Sequence, residues 1–303
     1  MATVISTGAH PKALWPGIHA WYGRMYDEHK VEYTDLFDEE TSEKAYEEDV
    51  EITAFGLAPV KPEGTAIQYD TETQGSVTRY THVAYSLGYI VTYEELRDNL
   101  YEVVSKRRAQ ALAFSMRQTK ENVCANVYNR AFNTSYTFGD GQVAICSTHP
   151  TLNGNQSNIL TNAADLSEAA IEDLVVQIMA TQNNRGLRVS NLPQSLHIPV
   201  QLWFEANRIL NSVLQNDTAN NAINALRATA TFPKGIKVNH YFTSATAWFV
   251  RTNIPRGMTH FTREAASFDQ DNDFDTKNAK AATYERYSVG MTDFRQLWGT
   301  PGV

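Results

Sequence analysis

The strongest structural signal in the chain is TYEELRDNLYEVVSKRRAQALAFSMRQTKENVCANVYNRAFN, residues 92–133. This stretch contains no proline or glycine and predicts one long helix. Thr92 suits the N-cap, and Glu95 three residues later completes a capping box. Apolar residues recur along it at helical spacing: Leu96, Leu100, Val103, Val104, Ala111, Leu112, Met116, Val123 and Val127.

A helix over 92–133 is longer than an ordinary compact domain accommodates. At 1.5 Å per residue it would measure roughly 60 Å, whereas globular helices usually have about 10–14 residues. The apolar positions hold no a/d heptad over several repeats, which disfavours a coiled coil. A long helix beside β-rich segments is typical of a plate or spine. The 303 residues allow one large domain or two intertwined ones.

Residues 46–91, before the helix, predict an extended β-hairpin loop. Alternation begins near Val50, and the second strand, 77–91, places every second residue on one face. Pro and Gly residues mark a long polar tip, in which Lys61 and Tyr69 are candidates for contact with another subunit. Such a tip cannot bury itself, so it is either mobile or held by another chain.

Residues 1–45 predict an extended arm rather than a compact unit, because proline and glycine interrupt them and large aromatics are scattered through them. Two interpretations remain open: the arm packs on its own domain, or it packs on a neighbouring subunit. The second makes four aromatic residues contact candidates: Trp15, Trp21, Tyr22 and Tyr26.

Charge is concentrated in this arm. The chain carries −8, yet the window 27–51 alone carries −10, with twelve acids against Lys30 and Lys44, so the remainder is +2. Such a run is usually a solvated face. A sharper hypothesis pairs it with a basic patch on another subunit, formed by Lys106, Arg107, Arg108, Arg117 and Lys120. The negative total disfavours a protein that grips nucleic acid over its whole surface.

The second half predicts a mixed α/β layer followed by strands. Expected elements are a helix from Asp165 or Ser167 to Ala180, a strand at 196–200, a helix at 202–214 and strands at 235–238 and 241–250. A final hairpin is expected from 261–266 and 281–291, with a turn near 269–275.

No motif for catalysis stands out. GxGxxG, Walker A, GxSxG and HExxH are all missing, and no two histidines stand at i, i+4 on a helix. We expect His82 to be a cross-strand partner and His149 a structural hydrogen-bonding group. Cys124 and Cys146 are expected to be reduced thiols. The sequence shows no signal peptide and no apolar run long enough to cross a membrane.

Four alternating carboxylates form one weak metal candidate: Asp269, Asp271, Asp273 and Asp275. Their spacing is similar to a calcium loop, but Phe274 stands where glycine is needed and Lys280 where a bidentate glutamate belongs. We therefore expect no metal and no cofactor. Two interpretations stay open for this segment: a solvated turn, or contact of residues such as Asp271 and Asp273 with basic residues of a neighbouring subunit.

The order of arm, hairpin, long helix, α/β layer and final strands resembles the major capsid proteins of tailed bacteriophages, with the Hong Kong ninety-seven-type fold, and especially the Mu-like head-subunit group. Seven segments carry the resemblance in order: EGTAIQYDTETQGSVTRYTHVAYSLGYIVTYEEL (63–96), CSTHPTLNGNQSN (146–158), DLSEAAIEDL (165–174), NNRGLRV (183–189), LHIPVQLWFEANRIL (196–210), AWFVRT (247–252) and NDFDTKNAKAATYERYSVGMTDFRQLWGTPG (272–302).

The resemblance implies an α+β fold with five parts. These are an N-terminal arm (1–45), an extended loop over the next subunit (46–91), a peripheral domain (92–164) with the spine helix at 92–133, an axial α/β domain (165–254), and return strands with a tail (255–303).

The resemblance also implies a structural function without catalytic residues. Copies would form pentamers and hexamers that close into an icosahedral shell in the host cytoplasm. Expected partners are a scaffolding protein, a portal, decoration proteins and packaged double-stranded DNA, which the wall contacts weakly and without sequence specificity. Lys61 has no assignable partner for a covalent cross-link. Two alternatives stay open: an encapsulin-like compartment for protein cargo, and an α/β enzyme with unrecognised motifs.

Overall fold

A computed structural model describes residues 22, 24–26, 30–94, 101–215 and 222–303, with only the backbone of 101–106. The α-helices whose bounds are described are α1 (Tyr33–Leu36), α2 (Tyr101–Asn129), α3 (Glu168–Met179), α4 (Trp203–Asn211) and α5 (Ala225–Ala228). Two short 3-10 helices cover Val200–Leu202 and Phe294–Gln296. No helix in these ranges is both long and apolar enough to cross a membrane.

The strands of the described ranges form two larger sheets and two short hairpins. They are β1 (Asp38–Thr41), β2 (Tyr46–Ile52), β3 (Gln74–Thr81), β4 (Val83–Val91), β5 (His149–Thr151), β6 (Gly154–Gln156), β7 (Pro193–Pro199), β8 (Ile236–Asn239), β9 (Trp248–Thr252), β10 (Met258–Asn272), β11 (Ala279–Met291) and β12 (Leu297–Thr300). One four-stranded sheet has the order β1-β10-β11-β4 and the other β12-β9-β7-β8. Strands β2 and β3 pair with each other, as do β5 and β6.

Helix α2 is the predicted spine. Its 29 described residues span roughly 44 Å at 1.5 Å each, and one face is buried through residues such as Leu112, Met116 and Tyr128. The prediction placed its end at Asn133, which is four residues too late. After Asn129 the chain tightens into a turn, because the Ala131 N–H bonds the Tyr128 carbonyl three residues back at 3.0 Å. The Ala131 carbonyl then accepts the Ile145 N–H at 3.0 Å. The predicted capping residue Glu95 lies outside the described residues.

The predicted second strand of the hairpin is two strands in the structure. Strand β3 pairs antiparallel with β2, whereas β4 pairs antiparallel with β11 in the four-stranded sheet. His82 stands at the junction, where it bonds Ser42 Oγ at 3.1 Å and Ser288 Oγ at 2.9 Å. The expectation of a cross-strand role for His82 is confirmed, and its buried side chain marks where the chain changes sheets.

The α/β layer packs α3 and α4 against the second sheet. Ser167 is the N-cap of α3, accepting the Ala170 N–H at 3.2 Å, which settles the choice between Asp165 and Ser167. Buried apolar side chains from both helices and from β7 and β9 form one core: among them Ile171, Leu174, Ile178, Leu196, Ile198, Ala206, Ile209, Trp248 and Val250. Strand β9 starts at Trp248, seven residues later than predicted, because residues 240–247 form turns.

A second core joins the spine helix to the N-terminal segment and to the C-terminal strands. It contains Tyr33, Leu36, Phe37, Cys124, Tyr128, Phe249, Met258, Phe294 and Leu297. The final hairpin is longer than predicted, since β10 has 15 residues and β11 has 13. Its turn therefore lies at 273–278, and Asp269 and Asp271 belong to β10 rather than to the turn.

Candidate assembly surfaces

The extended loop between β2 and β3 exposes apolar side chains that its own chain does not cover. Residues 53–73 contain no regular strand. Leu57, Val60 and Tyr69 have exposed fractions of 82%, 92% and 92%, and the predicted contact residue Lys61 is exposed as well. Several large apolar side chains exposed on one loop are typical of an interaction site.

Hydrogen bonds hold the two sides of this loop together. At its base, Thr53 Oγ1 donates to the Thr73 carbonyl at 2.9 Å and accepts the Thr73 N–H at 2.9 Å. Further out, Asp70 Oδ2 accepts the Gly56 N–H at 2.8 Å. Arg185 pairs with Asp70 at 3.6 Å and donates to the Thr71 carbonyl. These bonds give the loop a defined direction while leaving its apolar side chains exposed.

The acidic segment makes ion pairs within its own chain. Lys237 contacts Asp35 at 2.8 Å, Arg251 contacts Asp38 at 2.9 Å and Arg256 contacts Glu40 at 2.7 Å. Further ion pairs of this segment are Glu47–Lys44, Glu48–Arg79 and Glu51–Arg295. Glu32 Oε1 also lies within hydrogen-bond distance of His240 Nδ1, at 2.7 Å. Folding therefore brings bases of the same chain, such as Lys237 of β8 and Arg251 of β9, beside these acids. Pairing of this segment with a basic patch on another subunit stays a prediction.

Part of the predicted basic patch on the spine helix faces inward. Arg117 and Lys120 are 5% and 6% exposed. Arg117 donates to the Tyr26 carbonyl at 3.1 Å, and Lys120 lies 3.7 Å from the buried carboxylate of Glu285. Burial raises the pKa of Glu285 and the Lys120 ammonium opposes that shift. These two basic side chains lie in the interior of the subunit, so the prediction that they form part of a surface patch is wrong.

The remaining basic residues of that patch stay candidates for contact with another subunit. Arg107 is exposed and Arg108 is half-buried. The side chain of Lys106 lies outside the described part of the molecule.

Two of the four arm aromatics pack against their own chain. Tyr22 is 4% exposed, stacks on Phe268 with ring centroids 4.8 Å apart and bonds Thr283 Oγ1 at 2.7 Å. The Tyr26 hydroxyl donates to Glu285 at 3.1 Å. For these two residues the interpretation of an arm packed on its own domain holds, because β10 and β11 supply an apolar and hydrogen-bonding surface. Trp15 and Trp21 lie outside the described residues.

The aspartates of the final hairpin are spread along it. Asp273 pairs with Lys280 at 2.8 Å, and its Oδ1 accepts the Asp275 N–H at 3.2 Å. Asp269 and Asp271 lie on β10. Within the described ranges no three His, Cys, Asp or Glu side chains come close enough to hold a metal ion. Lys280 stands where a calcium loop would carry its bidentate glutamate. In the structure the Lys280 ammonium group itself supplies the positive charge beside Asp273.

His149 lies in a buried polar cluster. The sequence predicted only that His149 makes a structural hydrogen bond. His149 is fully buried and stacks on Phe294 with ring centroids 4.1 Å apart. Its Nδ1 lies 2.5 Å from Asp140 and its Nε2 lies 3.0 Å from Asn158 Oδ1. Burial alone lowers the pKa of His149, but its hydrogen bonds to Asp140 and Cys146 outweigh burial and raise the pKa to about 9. The structural role is confirmed.

Comparison with known proteins identifies the family. A family model described as phage capsid protein matches residues 75–298, well over half of the chain. The chain belongs to the phage capsid protein family. A search among curated protein sequences gave no match. The narrower resemblance to Mu-like head subunits stays a prediction.

Solved structures show the fold of this capsid protein. A virus-like particle from Pyrococcus furiosus matches with a TM-score of 0.54 at 10% identity, covering 94% of this chain and 98% of that chain. A structure from Mycobacterium phage Che8 matches with a TM-score of 0.52 at 12% identity, covering 91% of this chain and 93% of that chain. The capsid of the native GTA particle matches with a TM-score of 0.56 at 9% identity, covering 90% of each chain. The predicted α+β Hong Kong ninety-seven-type fold is confirmed.

Proposed function

We propose that this capsid protein is the major head subunit of a tailed double-stranded DNA bacteriophage. Copies form pentamers and hexamers that close into an icosahedral shell around the genome. The observation that carries this is the extended loop, residues 53–73, whose exposed apolar side chains find no cover on their own chain. A second copy of the chain would cover that surface in a shell.

The division into parts follows from the same proposal. Residues 1–45 serve as the arm and 46–91 as the loop that overlies the next subunit. Residues 92–164 and 255–303 form the peripheral domain, and 165–254 form the axial domain around the symmetry axes. Two cores support part of this division, since one gathers α2 with the C-terminal strands and the other gathers α3 and α4 with β7 and β9. Phe249 of β9 and Trp298 of β12 join the two parts, because each packs in the core of the other part.

Proposed partners are a scaffolding protein, a portal, decoration proteins and packaged DNA. Contact with DNA would be weak and independent of sequence, because a subunit with net charge −8 cannot neutralise many phosphates over its whole surface. The shell would assemble in the bacterial cytoplasm. This role needs no catalytic residue.

An encapsulin-like compartment is the second candidate function. The match to a virus-like particle over 94% of this chain favours it, whereas the family model favours a phage shell. The contents of purified particles distinguish the two, because a phage head assembled with its packaging partners contains DNA and a compartment contains cargo protein.

Electron microscopy of the expressed protein tests the proposal. The protein would be imaged alone and with the products of neighbouring genes, by negative stain. We expect rings of five or six subunits or closed shells in at least one condition. A uniform monomer in both conditions would overturn the proposal and reopen the search for an enzyme.

A further inference from the structure

A polar cluster around Cys146 and His149 has no part in the proposed shell contacts. Asn158 Oδ1 accepts the Cys146 N–H at 2.8 Å and lies 3.0 Å from His149 Nε2. The Asn158 N–H in turn donates to the Cys146 carbonyl at 3.1 Å. Because the Asn158 side chain is fully buried, one fixed amide holds the backbone of the cysteine and the ring of the histidine side by side.

The ring of His149 is positively charged in this cluster. Its Nδ1 faces a carboxylate oxygen of Asp140 at 2.5 Å. Its Nε2 faces Asn158 Oδ1, since Asn158 uses its Nδ2 to donate to the Ala144 carbonyl at 2.7 Å. Both ring nitrogens thus meet acceptors, so both carry protons. A carboxylate that orients an imidazole beside a thiol is the arrangement that activates cysteine nucleophiles.

Hydrogen-bond donors surround the sulfur of Cys146. His149 and the backbone N–H of Thr148 hydrogen-bond it, and the Thr148 hydroxyl lies 3.8 Å from Sγ. Burial raises the pKa of the Cys146 thiol, but these hydrogen bonds and the charge of His149 outweigh burial and lower the pKa below its ordinary value. The sulfur is therefore held in an environment that favours the thiolate, which is the nucleophilic form of cysteine.

The two cysteines of the chain have opposite environments. Cys146 is half-buried, and the exposed residues Ser147 and Thr148 follow it. Cys124 is fully buried in the core beneath the spine helix, and burial raises the pKa of its thiol. Reactive cysteines lie in positively charged and partly exposed surroundings, whereas cysteines buried among apolar groups are inert. Cys124 thus serves as an internal reference for Cys146.

We propose that Cys146 is a covalent modification site that takes low-molecular-weight disulfides. The Cys146 thiolate attacks one sulfur of the disulfide, and the bond between the two sulfurs of the reagent breaks. The attacked sulfur stays on Cys146 as a mixed disulfide, and the other half leaves as a thiolate. Oxidation of the cysteine is thereby balanced by reduction of the leaving half. The inference goes beyond the proposed function and does not depend on it.

The rate of reaction with dipyridyl disulfide, a neutral probe, tests this site on the full chain. We expect one thiol per chain to react quickly, with a pH–rate profile whose midpoint lies below the value of about 8.5 of a free cysteine. Cys146→Ser should abolish the fast reaction, leaving Cys124 to react only after unfolding in urea. After incubation with glutathione disulfide, mass spectrometry should show one glutathione on each wild-type chain and none on Cys146→Ser.

Two further variants test the cause of this reactivity. His149→Gln removes the positive charge, so the midpoint of the rate profile should rise and the rate at pH 6.5 should fall several-fold. Asp140→Asn should act in the same direction, because a neutral amide does not hold the ring in its charged form. His240→Gln, at an exposed histidine outside the cluster, is the matched control and should leave the profile unchanged.

The wild-type profile decides the proposal even where a variant fails to fold. A wild-type midpoint at or above about 8.5 would overturn it, as would a fast thiol that survives Cys146→Ser. Thermal melting serves as the folding check for the other variants. A cooperatively folded His149→Gln variant with the wild-type profile would also overturn the proposal, because the thiol would then owe nothing to the imidazolium.

Discussion

His149 and Asp140 form a buried ion pair, with Nδ1 of the imidazole 2.5 Å from Oδ2 of the carboxylate. The other ring nitrogen must also carry a proton. Asn158 donates through Nδ2 to the carbonyls of Ala144 at 2.7 Å and Leu297 at 2.9 Å, so its Oδ1 faces His149 Nε2 and accepts a hydrogen bond from it. His149 is therefore an imidazolium that holds Asp140 and Asn158, and Asn158 in turn bonds β12 through the Leu297 carbonyl.

Stability should fall in the alkaline range because of this pair. The pKa of His149 is raised from 6.5 to about 9 on folding, with Asp140 and Cys146 as its titratable neighbours. A raised histidine pKa stabilises the fold fully below about pH 6.5 and loses that effect as the pH rises through about 9. The loss is on the order of 3 kcal/mol. Urea unfolding between pH 6 and pH 10 measures it.

The matched variant for this measurement is His149→Gln, which cannot titrate. It should be less stable than wild type at pH 7 and should lose little further stability between pH 7 and pH 9.5. Equal slopes for the two proteins across this range would contradict a protonated His149. Cys146→Ser, measured in parallel, separates any contribution of the neighbouring thiol.

Leu174→Ala should destabilise the α/β layer. The Leu174 side chain is fully buried in the core beneath α3, so removing three carbons leaves a cavity and costs about 2–5 kcal/mol. Val176→Ala, on the same helix but 66% exposed, should change the free energy of unfolding by less than about 0.5 kcal/mol. Similar values for the two variants would mean that α3 does not pack as described.

Truncation of the extended loop's apolar side chains should impair assembly without unfolding the subunit. Leu57→Ala and Tyr69→Ala each remove exposed apolar surface that we propose is buried on another copy, so shell yield should drop several-fold. Leu152→Ala, an exposed leucine outside the loop, is the control. Particle counts in electron micrographs and the melting temperature of the free subunit are the two readouts. Full assembly of both loop variants would contradict the proposal.

Arg251→Met should destabilise the isolated subunit, because the acidic segment is held within the chain. Arg251 is 7% exposed and bridges Asp38 and the Asp35 carbonyl, both at 2.9 Å. Its loss leaves two acceptors without their donor, at a cost of about 2 kcal/mol. Lys44→Met removes a surface pair with Glu47 in which the lysine side chain is 74% exposed and should have little effect. Equal urea midpoints for both variants would contradict the intrachain role.

Reversal of Arg107 and Arg108 tests what remains of the predicted basic patch. Arg107 and Arg108 are the described bases of the predicted patch that do not lie buried in the interior, whereas Arg117 and Lys120 do. Arg107→Glu combined with Arg108→Glu should reduce shell yield several-fold while leaving a folded subunit. Shells of normal number and size would remove the spine helix from the list of charged contacts.

The long helix, the fold class and the family resemblance could be predicted because each has a local signal. Helical spacing without proline or glycine identifies α2, and Ser167 with the apolar positions of α3 identifies that helix. Helix and strand ends were less predictable, as Asn129 and Trp248 show, because they depend on which distant backbone groups take the last hydrogen bonds.

The candidate contact residues were harder to predict than the fold. Tyr22, Tyr26, Arg117 and Lys120 are all of types that suit an interface, yet they pack inside the subunit. Whether an aromatic or basic side chain faces solvent depends on the elements packed against it, and local sequence does not specify them.

Periodicity, capping residues and charge distribution thus established the spine helix, the exposed hairpin loop and the acidic segment, because these depend on residues close together in the chain. Tertiary structure alone decided that the acids of this segment pair with Lys237, Arg251 and Arg256, about 200 residues further along. It also decided that the strand across His82 divides between two sheets. Both outcomes depend on partners brought together by folding, since an ion pair or a strand pairing is determined by distance in space rather than by distance in sequence.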